Sequence, residues 1–146
     1  MPFSSIFYKK DKCRDGDCKV NKKNIKAIFK PDDGILDEKL KNELFPPSYK
    51  ICDCIIVCNN DDIVIVEILC GTLTYKEFKD KSIQLENCYK LINKLGLSDK
   101  VTQIRLQYKK LENPKHNPQF RKKLMNPKIF GFNLELSSNM TMSINC

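Results

Sequence analysis

One acidic residue lies in each of the two apolar runs that make up most of residues 51–71, the most apolar stretch of the chain. The stretch holds two runs rich in Ile, Val and Cys, with Asp53 as the only charge in the first and Glu67 as the only charge in the second. A carboxylate in a buried strand is costly unless it is paired, hydrogen-bonded or coordinated to a metal. The sequence therefore indicates Asp53 and Glu67 as the residues with the best prospect of doing chemistry.

The turn between the two runs decides whether these acids can share a site. Because side chains alternate along a strand, Asp53 and Glu67 face the same side only if the turn has an odd number of residues. A three-residue loop, Asn59-Asn60-Asp61, puts Asp53 directly opposite Glu67, and Asn and Asp tolerate the left-handed backbone that such a loop requires. A loop of two or four residues would separate the acids, unless a bulge restored the register.

The elements that must position this hairpin follow from hydrophobic periodicity and from turn and capping residues. The hairpin itself does not alternate, which is typical of strands buried on both faces in the middle of a sheet. Thr74 to Glu77 fits a capping box, and Gly96 and Leu97 suit a Schellman motif at the other end of a long helix. The other expected elements are a strand at 24–29, a turn at 31–34, a short amphipathic helix at 35–44, the long helix at 75–95, a strand near a sheet edge at 101–109, a short helix at 118–125 and a last strand at 129–136. This order predicts an α/β fold with a mixed central sheet and flanking helices.

Length and charge set the broad class of protein. A chain of 146 residues predicts a single domain, with a polar N-terminal segment at 1–24 and a loose tail at 137–146. The net charge of +8 favours an anionic partner such as nucleic acid. No run is long and apolar enough for a membrane helix, and no signal peptide is visible. We therefore expect no membrane association and a cytoplasmic location, or a host intracellular one if the chain is viral; a homodimer stays open.

Eight cysteines make the chain cysteine-rich. Four of them fall in residues 51–71, where buried free thiols are the first expectation, since Cys packs as a small apolar residue. Intracellular disulfides become plausible if the source is a hyperthermophile or its virus. Cys13 and Cys18 flank an Asp-Gly turn, and they could also close a small disulfide loop or supply half of a zinc site.

An Asp in one strand and a Glu in the next, followed by a helix and another strand, resembles the restriction-endonuclease-like, PD-(D/E)XK, nuclease superfamily. The resemblance covers about residues 35–108 and rests on Asp53 and Glu67. It implies a restriction-endonuclease-like core that binds Mg²⁺ or Mn²⁺ through Asp53 and Glu67, with Glu43 as an upstream acidic ligand and Glu38 as its alternative. Two positions depart from the family pattern: Leu69 stands where the family has its lysine, and Cys52 where it has a proline.

The lysine of this family positions the attacking water and stabilises developing negative charge. Some members take that lysine from a neighbouring element, so Lys76, Lys79 and Lys81 at the start of the following helix are candidates. Lys81 and Gln84 share a helix face, and several members place a Gln there, so we expect both in the catalytic site. The residues expected to bind nucleic-acid phosphates are Lys109, Lys110, Arg121, Lys122 and Lys123.

Two functions from different classes stay open. The first is a Mg²⁺- or Mn²⁺-dependent endonuclease that hydrolyses DNA or RNA phosphodiesters. The second is a catalytically inactive, basic nucleic-acid-binding or adaptor protein on a degenerate nuclease-like scaffold. Asp53 could also simply lie in water at a strand entrance, with Glu67 paired to a lysine such as Lys76. The single histidine, His116, lies in a Pro- and Lys-rich segment and is expected at the surface.

Overall fold

The structure is a computed structural model, and it describes residues 2–37, 39 and 50–146. Within these residues the chain forms a large mixed sheet, a small second sheet and two α-helices, which confirms the predicted single-domain α/β class. The strands are β1 (Lys9–Lys10), β2 (Arg14–Asp15), β3 (Cys18–Val20), β4 (Ile25–Phe29), β5 (Cys54–Cys58), β6 (Ile63–Leu73), β7 (Val101–Leu111), β8 (Lys128–Ile129), β9 (Phe132–Ser137) and β10 (Thr141–Met142). The helices are α1 (Tyr75–Lys94) and α2 (Pro118–Met125).

The large sheet has seven strands in the order β1-β4-β5-β6-β7-β9-β8. β5 is antiparallel to both of its neighbours, β4 and β6, whereas β6, β7 and β9 are parallel to one another. Parallel neighbours need a crossover connection, and α1 supplies it between β6 and β7. The central hairpin therefore lies in the interior of the sheet, as its unbroken apolar runs predict, and all residues of β5 are buried.

The turn of the hairpin has the predicted three residues. Cys58 N donates to Asp62 O at 2.9 Å, and Asp61 N donates to Cys58 O at 2.9 Å, so residues 59–61 form the loop. Asp61 adopts the left-handed conformation, with φ of 71°. The register pairs Cys54 with Val66, and one further step places Asp53 opposite Glu67. The prediction that both acids face the same side is therefore confirmed.

Helix α1 begins and ends where its capping residues predict. The Thr74 hydroxyl accepts a hydrogen bond from Glu77 N at 3.1 Å. At the other end Gly96 has a φ of 75°, and Leu97 N donates to Ile92 O at 3.1 Å, which is the Schellman arrangement. Since α1 packs its buried face on one side of the large sheet, the rotation of the helix about its axis decides which of its polar residues reach Glu67.

The opposite side of the large sheet is covered by a small sheet with the order β10-β3-β2. Alternation along β6 separates the two cores: Ile63 and Ile65 pack in the core on the α1 side, whereas Val64 and Val66 pack with the small sheet. The acids at 53 and 67 therefore belong to the α1 side, and the small sheet lies behind them.

The C-terminal segment is held in place, and the expectation of a loose tail at 137–146 is wrong. The polar residues that alternate along β7 bind it: Gln107 Nε2 donates to Asn139 O at 2.7 Å and to Met140 O at 2.8 Å, and Arg105 donates to Ser143 O at 2.9 Å. β7 also lies between β6 and β9, so the edge position expected for it is wrong. Its polar face is covered by the tail instead of by water.

All eight cysteines form disulfides, so the expectation of buried free thiols in the hairpin is wrong. The pairs are Cys13–Cys54, Cys18–Cys70, Cys52–Cys88 and Cys58–Cys146. The Asp-Gly segment after Cys13 does form a turn between β2 and β3, but Cys13 and Cys18 bond to the hairpin instead of to each other or to zinc. Disulfides form and persist in oxidising environments, so the four bonds indicate a secreted or extracellular protein, and the cytoplasmic or host intracellular location expected above is wrong.

Three smaller expectations can also be assessed. The strand at 24–29, the turn at 31–34 and the helix at 118–125 are present as β4, a 3₁₀ turn at Pro31–Asp33 and α2. The single strand expected at 129–136 is instead the short hairpin of β8 and β9, because Phe130 and Gly131 both adopt positive φ between them. The helix expected at 35–44 lies mostly outside the described residues. None of the described helices has the length and apolar character that crossing a membrane would require.

Candidate functional site

Asp53 and Glu67 meet at the mouth of the central hairpin, on the side covered by α1. Asp53 directly precedes β5, is half-buried, and accepts a hydrogen bond from Ile68 N through Oδ2 at 2.8 Å. Glu67 lies in the middle of β6 and is fully buried, with 0% of its surface exposed. The hairpin therefore brings one partly accessible and one inaccessible carboxyl group together.

Glu67 is in an environment that opposes its negative charge. Burial raises the pKa of Glu67 to about 11, and the hydrogen bond and the negative charge of Asp53 add to this effect, while Lys81 opposes it. As a carboxylate, Glu67 would have no hydrogen-bond donor for Oε1 or Oε2 among the described residues. With a proton on one oxygen, which its raised pKa favours at neutral pH, Glu67 can donate a hydrogen bond to Asp53.

A third acid, Asp32, joins this pair. The surface of Asp32 is exposed overall, but partial desolvation of its carboxyl group raises its pKa to about 7. The charge and hydrogen bond of Asp53 contribute to the shift, whereas Lys30 opposes it. Asp53 thus raises the pKa of both Asp32 and Glu67, so the three carboxyl groups form one interacting set. We call Asp32, Asp53 and Glu67 the carboxyl chain.

Asp32 was not among the residues predicted for the site, although a clue to it exists in the sequence. Two acids, Asp32 and Asp33, lie in the turn that follows the first strand, and Asp53 directly precedes the next strand. β4 and β5 pair antiparallel with Phe29 opposite Ile55, so the end of one strand adjoins the start of the other. Pairing these two strands from sequence would have placed Asp32 beside Asp53.

Among the three candidate lysines, Lys81 reaches the carboxyl chain. Its Nζ lies 3.9 Å from Glu67 Oε1, and its side chain is only 18% exposed. Lys79 lies over the Tyr75 ring at 4.4 Å, and Lys76 is exposed to solvent. Leu69, at the position where the family has its lysine, packs against the apolar core. The pairing of Glu67 with Lys76, considered from sequence, is therefore replaced by a contact with Lys81.

Gln84 lies next to the site and ties α1 to the segment that carries Asp53. Its Nε2 donates to Ile51 O at 3.0 Å, and Asn87 donates to Lys50 O at 2.7 Å. The Cys52–Cys88 disulfide joins the same two segments one turn further along the helix. Gln84 therefore has a structural partner in the backbone beside Asp53, and these three links fix the position of Lys81 over Glu67.

The donor set suits a hard divalent cation, which prefers oxygen ligands. In residues 2–37, 39 and 50–146, no group of three or more His, Cys, Asp or Glu side chains is arranged so that it could hold a metal ion as it stands. Mg²⁺, however, usually keeps several waters and needs only one or two carboxylates, with phosphate oxygens completing its octahedron. Asp53 and the donor-less oxygens of Glu67 fit that requirement. Glu43, the third expected ligand, and Glu38, its alternative, lie outside the described residues.

The five residues expected to bind nucleic acid are all exposed, in two groups. Lys109 and Lys110 lie near the end of β7. The other group is on α2, whose Phe120 packs on Phe78 of α1 at 5.8 Å between ring centroids. That contact places α2 on the α1 side of the sheet, one turn of α1 before Lys81. The basic residues of this second group on α2 are Arg121, Lys122 and Lys123. His116 is exposed in a 3₁₀ turn, as predicted.

Comparisons of the chain with models of protein families, with curated proteins and with solved structures found no match.

Proposed function

We propose that the protein is a divalent-metal-dependent nuclease that hydrolyses phosphodiester bonds of DNA or RNA, on a restriction-endonuclease-like core. The observation that carries this proposal is the carboxyl chain beside a sheltered lysine. Glu67 has no donor for either carboxylate oxygen among the described residues, and Lys81 lies 3.9 Å away. A buried acid that is unsatisfied by the protein is expected to have a partner, and a cation of Mg²⁺ or Mn²⁺ type would be that partner.

The topology around the hairpin agrees with this proposal. Three antiparallel strands, β4, β5 and β6, are followed by the crossover helix α1 and the parallel strand β7. Asp53 directly precedes β5, and Glu67 lies within β6. This is the arrangement that the resemblance implies. The resemblance and the contacts of the site therefore favour the same reaction class.

Each residue of the site has a role in the proposed reaction. Asp53 and Glu67 would hold the metal ion, which lowers the pKa of a bound water and neutralises charge on the phosphate. Asp32 would hydrogen-bond Asp53 or a water at the accessible end of the carboxyl chain. Lys81 would stabilise the negative charge that develops on the phosphate oxygens. It would thereby replace the family's lysine, whose position is occupied by Leu69 in this chain. Gln84 would hold α1 against the strand entrance.

The basic side chains on β7 and α2 would bind the substrate's backbone. Contacts to phosphates give affinity without sequence information, so little sequence preference is expected. Because each neutralised phosphate releases counterions, binding should weaken steeply with salt.

Cleavage assays with matched variants test the proposal. We expect oxidised wild-type protein to cut plasmid or single-stranded substrates with Mn²⁺ or Mg²⁺, and EDTA to abolish cutting. Asp53→Asn should reduce cleavage by about 100-fold or more, since it removes a charged metal ligand while the side chain keeps nearly the same shape. Lys81→Gln should reduce the rate on the order of 100-fold while leaving metal binding intact, the size usual for a lost electrostatic contact. Lys76→Gln, on the same helix but in solvent, is the control.

A wild-type protein that neither binds metal nor cuts any of these substrates would rule out the nuclease. Salt-dependent nucleic-acid binding without cleavage would favour the second function, an inactive binding or adaptor protein on the same scaffold.

A further inference from the structure

A cavity of about 330 Å³ opens on the small sheet, on the other side of the large sheet from the carboxyl chain. Four cations line it, together with the polar residues Asn21 and Thr141. These cations are Lys12, Arg14, Lys19 and Lys22. All four are exposed, and no carboxylate among the described residues lines the cavity.

The four positive charges are uncompensated. In the described part of the chain, none of them forms an ion pair, although other lysines of the N-terminal region do: Lys10 pairs with Asp33 at 3.4 Å and Lys26 with Asp61 at 3.0 Å. Four unpaired cations around one concave surface repel each other and attract a multiply charged anion.

The strand register strengthens this repulsion. Arg14 of β2 is directly opposite Lys19 of β3, and like charges in that position destabilise a sheet. The neighbouring acid does not relieve them, because Asp15 Oδ2 accepts from Cys70 N at 3.4 Å, on the side of the large sheet. An arrangement that costs stability without a ligand is readily explained if a ligand supplies the missing negative charge.

Two disulfides hold these charges in place. Cys13, between Lys12 and Arg14, bonds to Cys54, and Cys18, next to Lys19, bonds to Cys70. Thr141 of β10 is paired with Lys19 on the other edge of β3. The cations therefore lie on a backbone that the disulfides hold in place before a ligand binds. Because less ordering of the chain is then needed on binding, the entropic cost is lower.

We propose that this cavity is a binding site for a compact oligophosphate, meaning two or more linked phosphate groups. Phosphate groups have the charge density that four cations match, and the Thr141 hydroxyl and Asn21 amide can donate further hydrogen bonds. No aromatic side chain among the described residues lines the cavity, so nothing in it would stack on a base. The site should thus bind the phosphates of a nucleotide as well as it binds free triphosphate. The proposal is independent of the nuclease, since the two sites lie on opposite sides of the sheet.

Isothermal titration with inorganic triphosphate tests this site directly. We expect saturable one-to-one binding to the oxidised protein, at least tenfold tighter than inorganic phosphate and about equal to ATP. The variant Arg14→Gln with Lys19→Gln should weaken triphosphate binding at least tenfold. The variant Lys94→Gln with Lys128→Gln removes the same net charge from exposed positions elsewhere and should change it less than twofold.

Thermal melting gives a second readout, because it also measures the stability of the protein without ligand. Triphosphate should raise the melting temperature of the wild type and of the control variant but not that of Arg14→Gln with Lys19→Gln. The ligand-free melting temperature of that double variant should equal or exceed that of the wild type, because a repulsive pair is gone. Equal weakening by both double variants, no triphosphate binding, or binding only of an oligonucleotide would overturn the proposal.

Discussion

Glu67 is a residue whose burial would be hard to explain by packing alone. It is fully buried in a strand otherwise made of Ile, Val and Leu around it, where any of these would pack without desolvating a polar group. Its nearest cation, Lys81, does not outweigh burial and Asp53, so its pKa lies at about 11. At neutral pH Glu67 therefore keeps its proton, which a metal ion at the proposed site would have to displace.

The raised pKa predicts a pH dependence of stability. Between the unfolded value of 4.5 and about 11, folded Glu67 keeps a proton that the unfolded chain has lost. The free energy of unfolding should therefore fall as the pH rises through this window, and the raised pKa of Asp32 adds to the fall below about pH 7. Glu67→Gln cannot ionise, so relative to the wild type it should gain on the order of a few kcal/mol between about pH 5 and pH 9 in metal-free buffer.

Urea unfolding of metal-free protein at several pH values measures this gain. Glu86→Gln makes the same chemical change on α1 and serves as the control. A pH slope that is the same for the wild type and Glu67→Gln would show that Glu67 ionises as freely in the folded state as in the unfolded chain.

At this scale the sequence identified most of the site but not all of it. Asp53 and Glu67 stood out because charges are conspicuous in apolar strands, and the turn residues fixed their common face. The sequence did not predict Asp32, because its place in the site depends on the pairing of β4 with β5. About twenty residues separate these two strands, and the sequence does not define the path of that segment. Lys81 was expected in the site because it shares a helix face with Gln84, and the rotation of α1 on the sheet is what places it 3.9 Å from Glu67.

At the scale of elements, local chemistry predicted α1 well and β7 poorly. The caps of α1 are made by residues close in sequence, so the capping box and the glycine sufficed to define both ends. β7 has alternating polar residues, which are typical of a strand with one wet face. That face is covered by the C-terminal segment, whose backbone carbonyls accept hydrogen bonds from Arg105 and Gln107. Nothing in β7 alone indicates so distant a partner.

Gln107 gives a test of how the C-terminal segment is held. It is fully buried, and its amide donates to the carbonyls of Asn139 and Met140. Gln107→Leu keeps the volume but leaves the Asn139 carbonyl without its donor, at a cost of about 1–3 kcal/mol if that carbonyl cannot reach water. The Met140 carbonyl loses one donor and keeps Lys19 N at 2.8 Å. Hydrogen exchange should accelerate in residues 138–146 and stay unchanged in α1. Equal acceleration across the whole chain would mean that the segment has no separate stability.

For the molecule as a whole, disulfides connect layers that also pack against each other through two apolar cores. Cys13–Cys54, Cys18–Cys70 and Cys58–Cys146 bind the small sheet and the tail to one side of the large sheet, and Cys52–Cys88 binds α1 to the other. Sequence could not supply these pairs, because eight cysteines allow 105 connectivities. With the pairs unknown, the buried cysteines of the hairpin looked like ordinary core residues, and they gave no argument against the cytoplasmic location that the disulfides contradict.

The disulfides predict a strong dependence of stability on redox conditions. A single bond typically contributes about 2–4 kcal/mol, and four together are comparable to the roughly 5–15 kcal/mol that stabilises a whole domain. Reduction should therefore lower the melting temperature by tens of degrees or abolish cooperative unfolding. Thiol titration of the unreduced, denatured protein should detect no free cysteine; the appearance of several would contradict the pairing.

The carboxyl chain as a divalent-metal site can be tested most directly by titrating Mn²⁺ into the oxidised protein near neutral pH, in two buffers with different ionisation enthalpies. We expect saturable binding of Mn²⁺ accompanied by release of a proton, because the ion would displace the proton that Glu67 holds at neutral pH. Asp53→Asn should weaken this binding at least tenfold, while Lys81→Gln should preserve it. No saturable binding, or binding that Asp53→Asn leaves unchanged, would contradict the assignment of a metal site to Asp53 and Glu67.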